Sequence, residues 1–236
     1  MRTTVHIVAR AGPGGRTVVP VLRATGALAA RLTGAGTVHL VGTAAGPLGG
    51  DTITLAVQVE AGARLRVRSA AASLVLPSAP DTPSATAVEL DVAGTLDLAP
   101  EPTVVTARAT HVSTVEARLG PEAELRLTER VVLGRAAEGP GRWTGTVRIC
   151  RDGPLLHTTQ ELGPGAAGWA PPFTPRAYAT ELVLDGSTAD PAVGADAVRL
   201  PLPGGWTATA WAGHLDAALA GLAGLAGTDA LAAAAR

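Results

Sequence analysis

The chain has 236 residues, 47% of them hydrophobic and 17% charged, with a formal net charge of −1. That is enough apolar material for a sizeable core, and the near-neutral balance argues against a nucleic-acid partner. A single cysteine, Cys150, excludes an internal disulfide and fits a reducing compartment, while 3% aromatic residues leave little stacking surface for bases or sugars.

At the start, MRTTVHIVARAGPGG breaks its apolar run before a signal-peptide core forms, and no later stretch is long and apolar enough to span a bilayer. The chain therefore reads as cytoplasmic and soluble, with no membrane partner. All 19 basic residues are arginine and asparagine is absent, a uniform usage that reads as genomic composition bias.

Residues 38–51, VHLVGTAAGPLGGD, carry the densest local requirements: a strand end, then Gly42, Gly46, Pro47, Gly49 and Gly50, closed by Asp51. Glycine tolerates positive φ and lets another backbone come close, so such a run marks sharp turns or a packed contact. It has neither Gly-Lys-Ser/Thr nor GxGxxG spacing and it opens a strand, which argues against a phosphate cradle. A plain glycine-rich connection, with Asp51 as a solvated turn residue, satisfies the same residues.

Three segments then repeat one theme: VQVEAGARLRV, ELDVAGTLDL and ARLGPEAELRL each place an alternating run, a glycine-containing turn and another alternating run. The pattern predicts strand, tight turn, strand. In the first copy Leu65 and Val67 face one way and Arg64, Arg66 and Arg68 the other, so one face is buried and one wet. Residues 78–84, SAPDTPS, predict a mobile loop, and residues 163–176, GPGAAGWAPPFTPR, a second break. Beyond it, ELVLD reads as a strand, and Leu215, Leu219, Leu222 and Leu225 recur at helical spacing. That stripe is either core or a docking face for a helical partner, with Leu215, Leu219 and Leu222 as the partner-binding candidates.

The expected fold is mainly β, a stack of largely antiparallel β-layers of helix-like or sandwich-like form, with a small C-terminal helical part. It is expected as one domain over residues 1–236: a β-rich body to residue 162, then an irregular, strand and helix region.

Catalytic constellations are not found. No GxSxG or catalytic-cysteine signature occurs, and Glu89 and Asp91 alternate with Val88, Leu90 and Val92 as ordinary solvated residues. The five histidines form no HxxxH or CxxC-type pattern. In RICRDGPLLHTT, an Asp152-Gly153 hairpin turn would pair Cys150 with Leu155 and place His157 diagonally on the same face, where thiolate and imidazole suit a soft ion. The alternative is a small buried cysteine beside a half-buried histidine.

Taken in order, GTAAGPLGGDTITLAVQVEAGARLRVRSAAASLVLP, LDLAPEPTVV, TERVVLGR and RDGPLLHTTQEL, preceded by PVLRATG, resemble the signature segments of the urease accessory protein family UreD, also called UreH. The resemblance runs from about residue 20 to residue 162. Ala45 departs from the second glycine of the family's first pair, and Leu74 from a basic residue common there. The resemblance implies a non-enzymatic urease maturation chaperone, required for nickel insertion, that joins a UreF-like accessory protein and a UreG-like GTPase and docks on apo-urease. It implies no tightly bound cofactor, with nickel as a transient passenger in an internal polar passage. By motif position the conduit candidates are Asp51, Ser69 and Glu129, beside the Cys150 and His157 pair; Gly42, Gly46, Gly49, Gly50, Gly134 and Arg135 mark the motif loops. A generic β-scaffold interaction module with no metal role is the alternative.

Overall fold

The computed structural model describes residues 1–78, 82–170 and 173–234. Its strands, in chain order, are β1 (Arg2–Ala11), β2 (Thr17–Thr25), β3 (Leu28–Gly34), β4 (Thr37–Gly42), β5 (Thr52–Val59), β6 (Arg64–Ser69), β7 (Ser73–Val75), β8 (Ser84–Val92) and β9 (Thr95–Leu98). There follow β10 (Thr103–Val105), β11 (Thr110–Leu119), β12 (Glu124–Leu133), β13 (Arg142–Cys150), β14 (Pro154–Leu162), β15 (Ala177–Leu184), β16 (Ala192–Val193), β17 (Ala197–Leu202) and β18 (Gly205–Ala212). One helix, α1 (Leu215–Ala234), closes the chain.

Two sheets face each other. The first has the order β14-β13-β11-β8-β5-β1-β2; the second runs β16-β17-β18-β15-β12-β9-β6-β4-β3, with β10 and β7 alongside. Each glycine-containing turn carries the chain from the first sheet to the second: β5 to β6, β8 to β9 and β11 to β12. The predicted hairpins are therefore arches, and the layers are not largely antiparallel. Strands β1, β5, β8, β11 and β13 pair in parallel, as do β4, β6, β9 and β12, while antiparallel pairs occupy the edges and the β12-β15-β18-β17 extension. The body is a mixed, solenoid-like coil.

Alternation could not distinguish these outcomes, because it shows which side chains are buried and not which strand lies alongside. In an arch the inward row simply continues onto the facing sheet. What selects the arch is the coil before it: Ala93 and Gly94 donate to Val59 O at 2.7 and 3.2 Å, Thr95 to Ala63 O at 2.9 Å, and Glu124 to Gly94 O at 2.9 Å. Stacking is so close that a Cβ on Gly94 would lie 2.4 Å from Ala63 O, which is why glycine stands there.

Inside, aligned residues form rungs across the first sheet. Val5, Leu55, Val88, Val115 and Val147 are in register, as are Ile7, Val57, Leu90, Ala117 and Ile149. Opposite them lie Leu65, Leu96 and Leu125, then Val67, Leu98 and Leu127. Fully burying one such side chain stabilises the fold by about 1.5–3 kcal/mol, so these rungs form the main core. A second cluster gathers Trp143, Tyr178, Leu133 and Leu162, with the Trp143 and Tyr178 rings 5.4 Å apart and Trp169 from the second break packed against it.

The C-terminal region extends the second sheet. Ala177, Ala179, Ala208 and Ala210 make a strand surface of minimal height, and Ala218 and Leu225 of α1 are buried on it, with Leu215, Leu219 and Leu222 packed alongside. The leucine stripe, expected as core or as a docking face, thus packs on the sheet, with Leu225 buried and Leu215, Leu219 and Leu222 partly buried. Ser84 of the predicted mobile loop begins β8, and residues 79–81 of that loop lie outside the described residues.

Candidate functional site

The rungs change character toward the end of the coil opposite the arches. On the first sheet the next inward rung is Thr3, Ile53, Thr86, Ser113 and Gly145, and beyond it Ser84 pairs with His111. On the second sheet the inward row that runs Leu65, Val67 ends in Ser69, and the row Leu125, Leu127 continues into Glu129. Small and polar side chains here cannot fill the space that valine and leucine fill elsewhere. A cavity of about 410 Å³ results, with room for on the order of ten waters.

Asp51, Ser69 and Glu129, drawn from three separate motifs, all line this cavity, together with Gly42 and Gly46. Asp51 is 7% exposed, and its Oδ2 accepts the Leu48 N–H at 2.9 Å while Oδ1 accepts from the Met1 ammonium. The ammonium hydrogen bond holds the carboxyl below its ordinary value against the opposing effect of burial, with the Leu48 N–H adding to the lowering. Asp51 is therefore a buried clamp of its own loop, not a solvated turn residue. Behind it, a Cβ on Gly49 would meet Thr82 O at 2.4 Å, and Gly50 sits at φ +84°.

Ser69 Oγ accepts the Glu101 N–H at 2.8 Å and donates to Ala71 O at 3.0 Å. Glu129 accepts from Ser113 Oγ at 2.9 Å across the gap between the sheets. Burial raises the Glu129 carboxyl to about 7, with the Ser113 hydrogen bond opposing. The Tyr178 hydroxyl, raised chiefly by burial, is raised further by the charge of Glu129, which places this carboxylate at the border of cavity and aromatic cluster.

His111 was not singled out in the sequence. It lines the cavity at 3% exposure, its Nδ1 lies 2.8 Å from Ser84 Oγ, and burial lowers it to about 4, so it is neutral near pH 7. The signal was present: extending the alternation of Val115, Ala117 and Leu119 backward along β11 puts Ser113 and His111 on the inner face.

Other candidates lie elsewhere. Cys150 and His157 are both exposed on the edge hairpin β13-β14, where a register shift pairs Cys150 with Pro154, not Leu155, and His157 with Arg148. Asp152 at φ +54° and Gly153 at φ +152° form a turn one residue longer than predicted. Gly134, at φ +77°, lies under the Arg176 guanidinium, which donates to Leu133 O and Glu138 O at 2.8 and 2.6 Å. Arg135 is exposed and pairs with Glu138 at 3.0 Å, so this motif locks a loop outside the cavity. Among the described residues no three or more His, Cys, Asp or Glu side chains cluster to hold a metal ion, and no helix is long and apolar enough to cross a membrane.

The second sheet is interrupted beside the cavity. Strand β12 pairs with β9 through Leu127 and with β10 from Val131, leaving residues 128–130 facing residues 99–102. Pro100 and Pro102 have no N–H, that of Ala99 goes to Val67 O at 3.0 Å, and that of Glu101 goes to Ser69 Oγ. Residues 99–102 thus have no donor left for the ladder, and a seam opens within the Leu-x-x-x-Pro-Glu-Pro segment.

The profile of the UreD urease accessory protein family matches residues 2–232. The chain is 44% identical over 137 residues to the urease accessory protein UreD of Frankia alni, covering 57% of this chain and 46% of that protein. It is 40% identical over 188 residues to that of Frankia casuarinae, covering 73% and 58%. With UreD 1 of Saccharopolyspora erythraea it shares 36% identity over 221 residues, 87% of this chain and 86% of that protein. The matched part thus spans about half the length of the two Frankia relatives and most of the Saccharopolyspora protein. A match that extends from residue 2 to residue 232 places the chain in the UreD urease accessory protein family.

Proposed function

We propose that the protein is a maturation factor, not a catalyst, that joins a UreF-like accessory protein and a UreG-like GTPase on apo-urease and lets nickel pass through the inter-sheet cavity toward the urease active site. The observation that carries this reading is the convergence of Asp51, Ser69 and Glu129, distant in sequence, on one polar-ended cavity in a member of a urease accessory family. A conduit must release what it binds, and single oxygen donors spaced along a wall suit that better than a chelating cluster. Glu129, whose carboxyl burial raises to about 7, gives up its proton as a divalent ion arrives, and its carboxylate offsets one of the two charges, which leaves the ion weakly held and free to move on. Asp51, committed to the Leu48 N–H and to the Met1 ammonium, fixes the shape of the glycine-rich end.

The test is urease activity per assembled complex, in a reconstitution with apo-urease, both partners, nickel, carbonate and GTP. Glu129→Gln keeps an acceptor for Ser113, and Asp51→Asn keeps one for Leu48, so assembly is expected to survive. Passage through the cavity requires an intact complex with poor activation, deepest in the double variant. Parental activation by all three variants would leave a β-scaffold interaction module with no metal role.

A further inference from the structure

We propose that His111 is a metal ligand: its Nε2 offers a nitrogen donor inside the cavity to a dication of the nickel, copper and zinc class, in preference to magnesium or calcium. That nickel is the ion that arrives rests on the passage reading above; the availability of the nitrogen rests on geometry. The ring is 3% exposed and lines the cavity from the first sheet, next to Ser113 along the inner face of β11. Its Nδ1 lies 2.8 Å from Ser84 Oγ, and among the described residues no hydrogen bond reaches Nε2. Ser84 Oγ also lies 3.5 Å from Thr110 O, to which it can only donate. With its single hydrogen placed there, Ser84 accepts from the Nδ1–H, and Nε2 keeps its lone pair. Ser84 then holds the ring in the tautomer that coordination needs, the role that partners of metal-bound histidines fill.

Oxygen is what the rest of the cavity supplies. Asp51, Ser69 and Glu129 suit magnesium and calcium as well as nickel, whereas an imidazole favours the softer ions. Among the described residues lining the cavity His111 is the one histidine, and no cysteine joins it. A buried ring nitrogen without a partner costs free energy unless water or an ion meets it, so packing alone does not account for a histidine here. An ion arriving at Nε2 displaces one water and gains a donor without moving the ring. His111 and Ser113 are two residues apart on one strand, about 6.5 Å, and Ser113 donates to Glu129. Imidazole and carboxylate therefore stand a rung apart: an ion on Nε2 reaches Glu129 through its bound water, and the hold stays weak.

The test uses the full-length chain carrying Cys150→Ser, which removes the exposed thiol, with isotope-labelled histidine. Long-range proton–nitrogen correlation spectra report the tautomer of each ring. His111 is assigned by the signals lost from His111→Asn, whose amide keeps a partner for Ser84, or from His111→Gln where the first variant does not fold. The expected result is a protonated Nδ1 and a bare Nε2. Zinc chloride, a diamagnetic dication of the same class, should shift Nε2 with the Nδ1–H retained, and magnesium chloride in large excess should shift neither. Ser84→Ala should weaken half-saturation of the zinc shift by roughly tenfold or more. An Nε2–H tautomer, a zinc response confined to the other four histidines, an equal response to magnesium, or unchanged half-saturation in Ser84→Ala overturns the proposal. Failure of Glu129→Gln to impair urease activation counts against the passage reading alone and leaves these spectra as they are.

Discussion

Replacing Glu129 by glutamine changes how stability depends on pH, because it leaves only one of two buried groups whose opposite shifts offset each other in the parent. Glu129 is raised from 4.5 to about 7, so the folded state holds a proton that the unfolded chain has lost, and stability falls as pH rises through that window. His111 is lowered from 6.5 to about 4, so the unfolded chain holds the extra proton, and stability rises with pH between those values. Each arm is worth about 3 kcal/mol at 1.36 kcal/mol per pKa unit, and between pH 4.5 and 6.5 they nearly cancel. The groups lowered from ordinary acidic values, Asp51, Glu138 and Asp185, act below that window and are common to both chains. Thermal unfolding of parent and Glu129→Gln at half-unit steps from pH 4.5 to 8 therefore gives a difference that grows in favour of the variant with rising pH. It should reach about 3 kcal/mol near pH 7.5, or roughly 6–12 °C in Tm for a chain of this size. Parallel profiles for the two proteins would refute the buried-carboxylate reasoning.

Gly49→Val forces a side chain against Thr82 O and should cost several kcal/mol, read as loss of soluble folded protein, whereas Ala45→Val at the exposed start of the loop should melt within about 1 kcal/mol of parent. Leu225→Ala, in the buried seat of α1, should lower stability by about 2–5 kcal/mol in the isolated chain, a loss that a purely partner-facing leucine would not produce. Cys150 should react at once with a bulky maleimide without change in melting, since it is exposed on the edge hairpin; protection of the thiol would contradict that placement.

The strands, their buried faces and the final helix were legible because alternation and helical spacing record burial directly. Neighbour identity was not. Val59 and Leu65 both point inward whether residues 60–63 make a hairpin or an arch, and only the hydrogen bonds of the next coil decide. The Cys150 register slipped because Asp152 adopts positive φ, which the letters Asp-Gly permit without requiring. The leucines of α1 allowed both core and partner face, and what seats the helix is Ala177, Ala179, Ala208 and Ala210, whose small size makes room for it. Motif position located three cavity residues but not His111, because the cavity exists only where rungs from separate coils align.

The register also gives assembly a direction in time. Across the first sheet Arg2 lies beside Thr52, Thr52 beside Ala85, Ala85 beside Val112, and Val112 beside Thr144, so each coil is templated by the one synthesised before it. A nascent chain can lay down its coils as they emerge, and none waits for residues near the C-terminus until β15 docks on β12. Loss of β1 removes the first template, while shortening from the other end leaves the early coils paired. Because α1 follows every strand of the second sheet, the groove on the outer face of that sheet stays uncovered while those strands are laid down and is roofed only after β18 is in place.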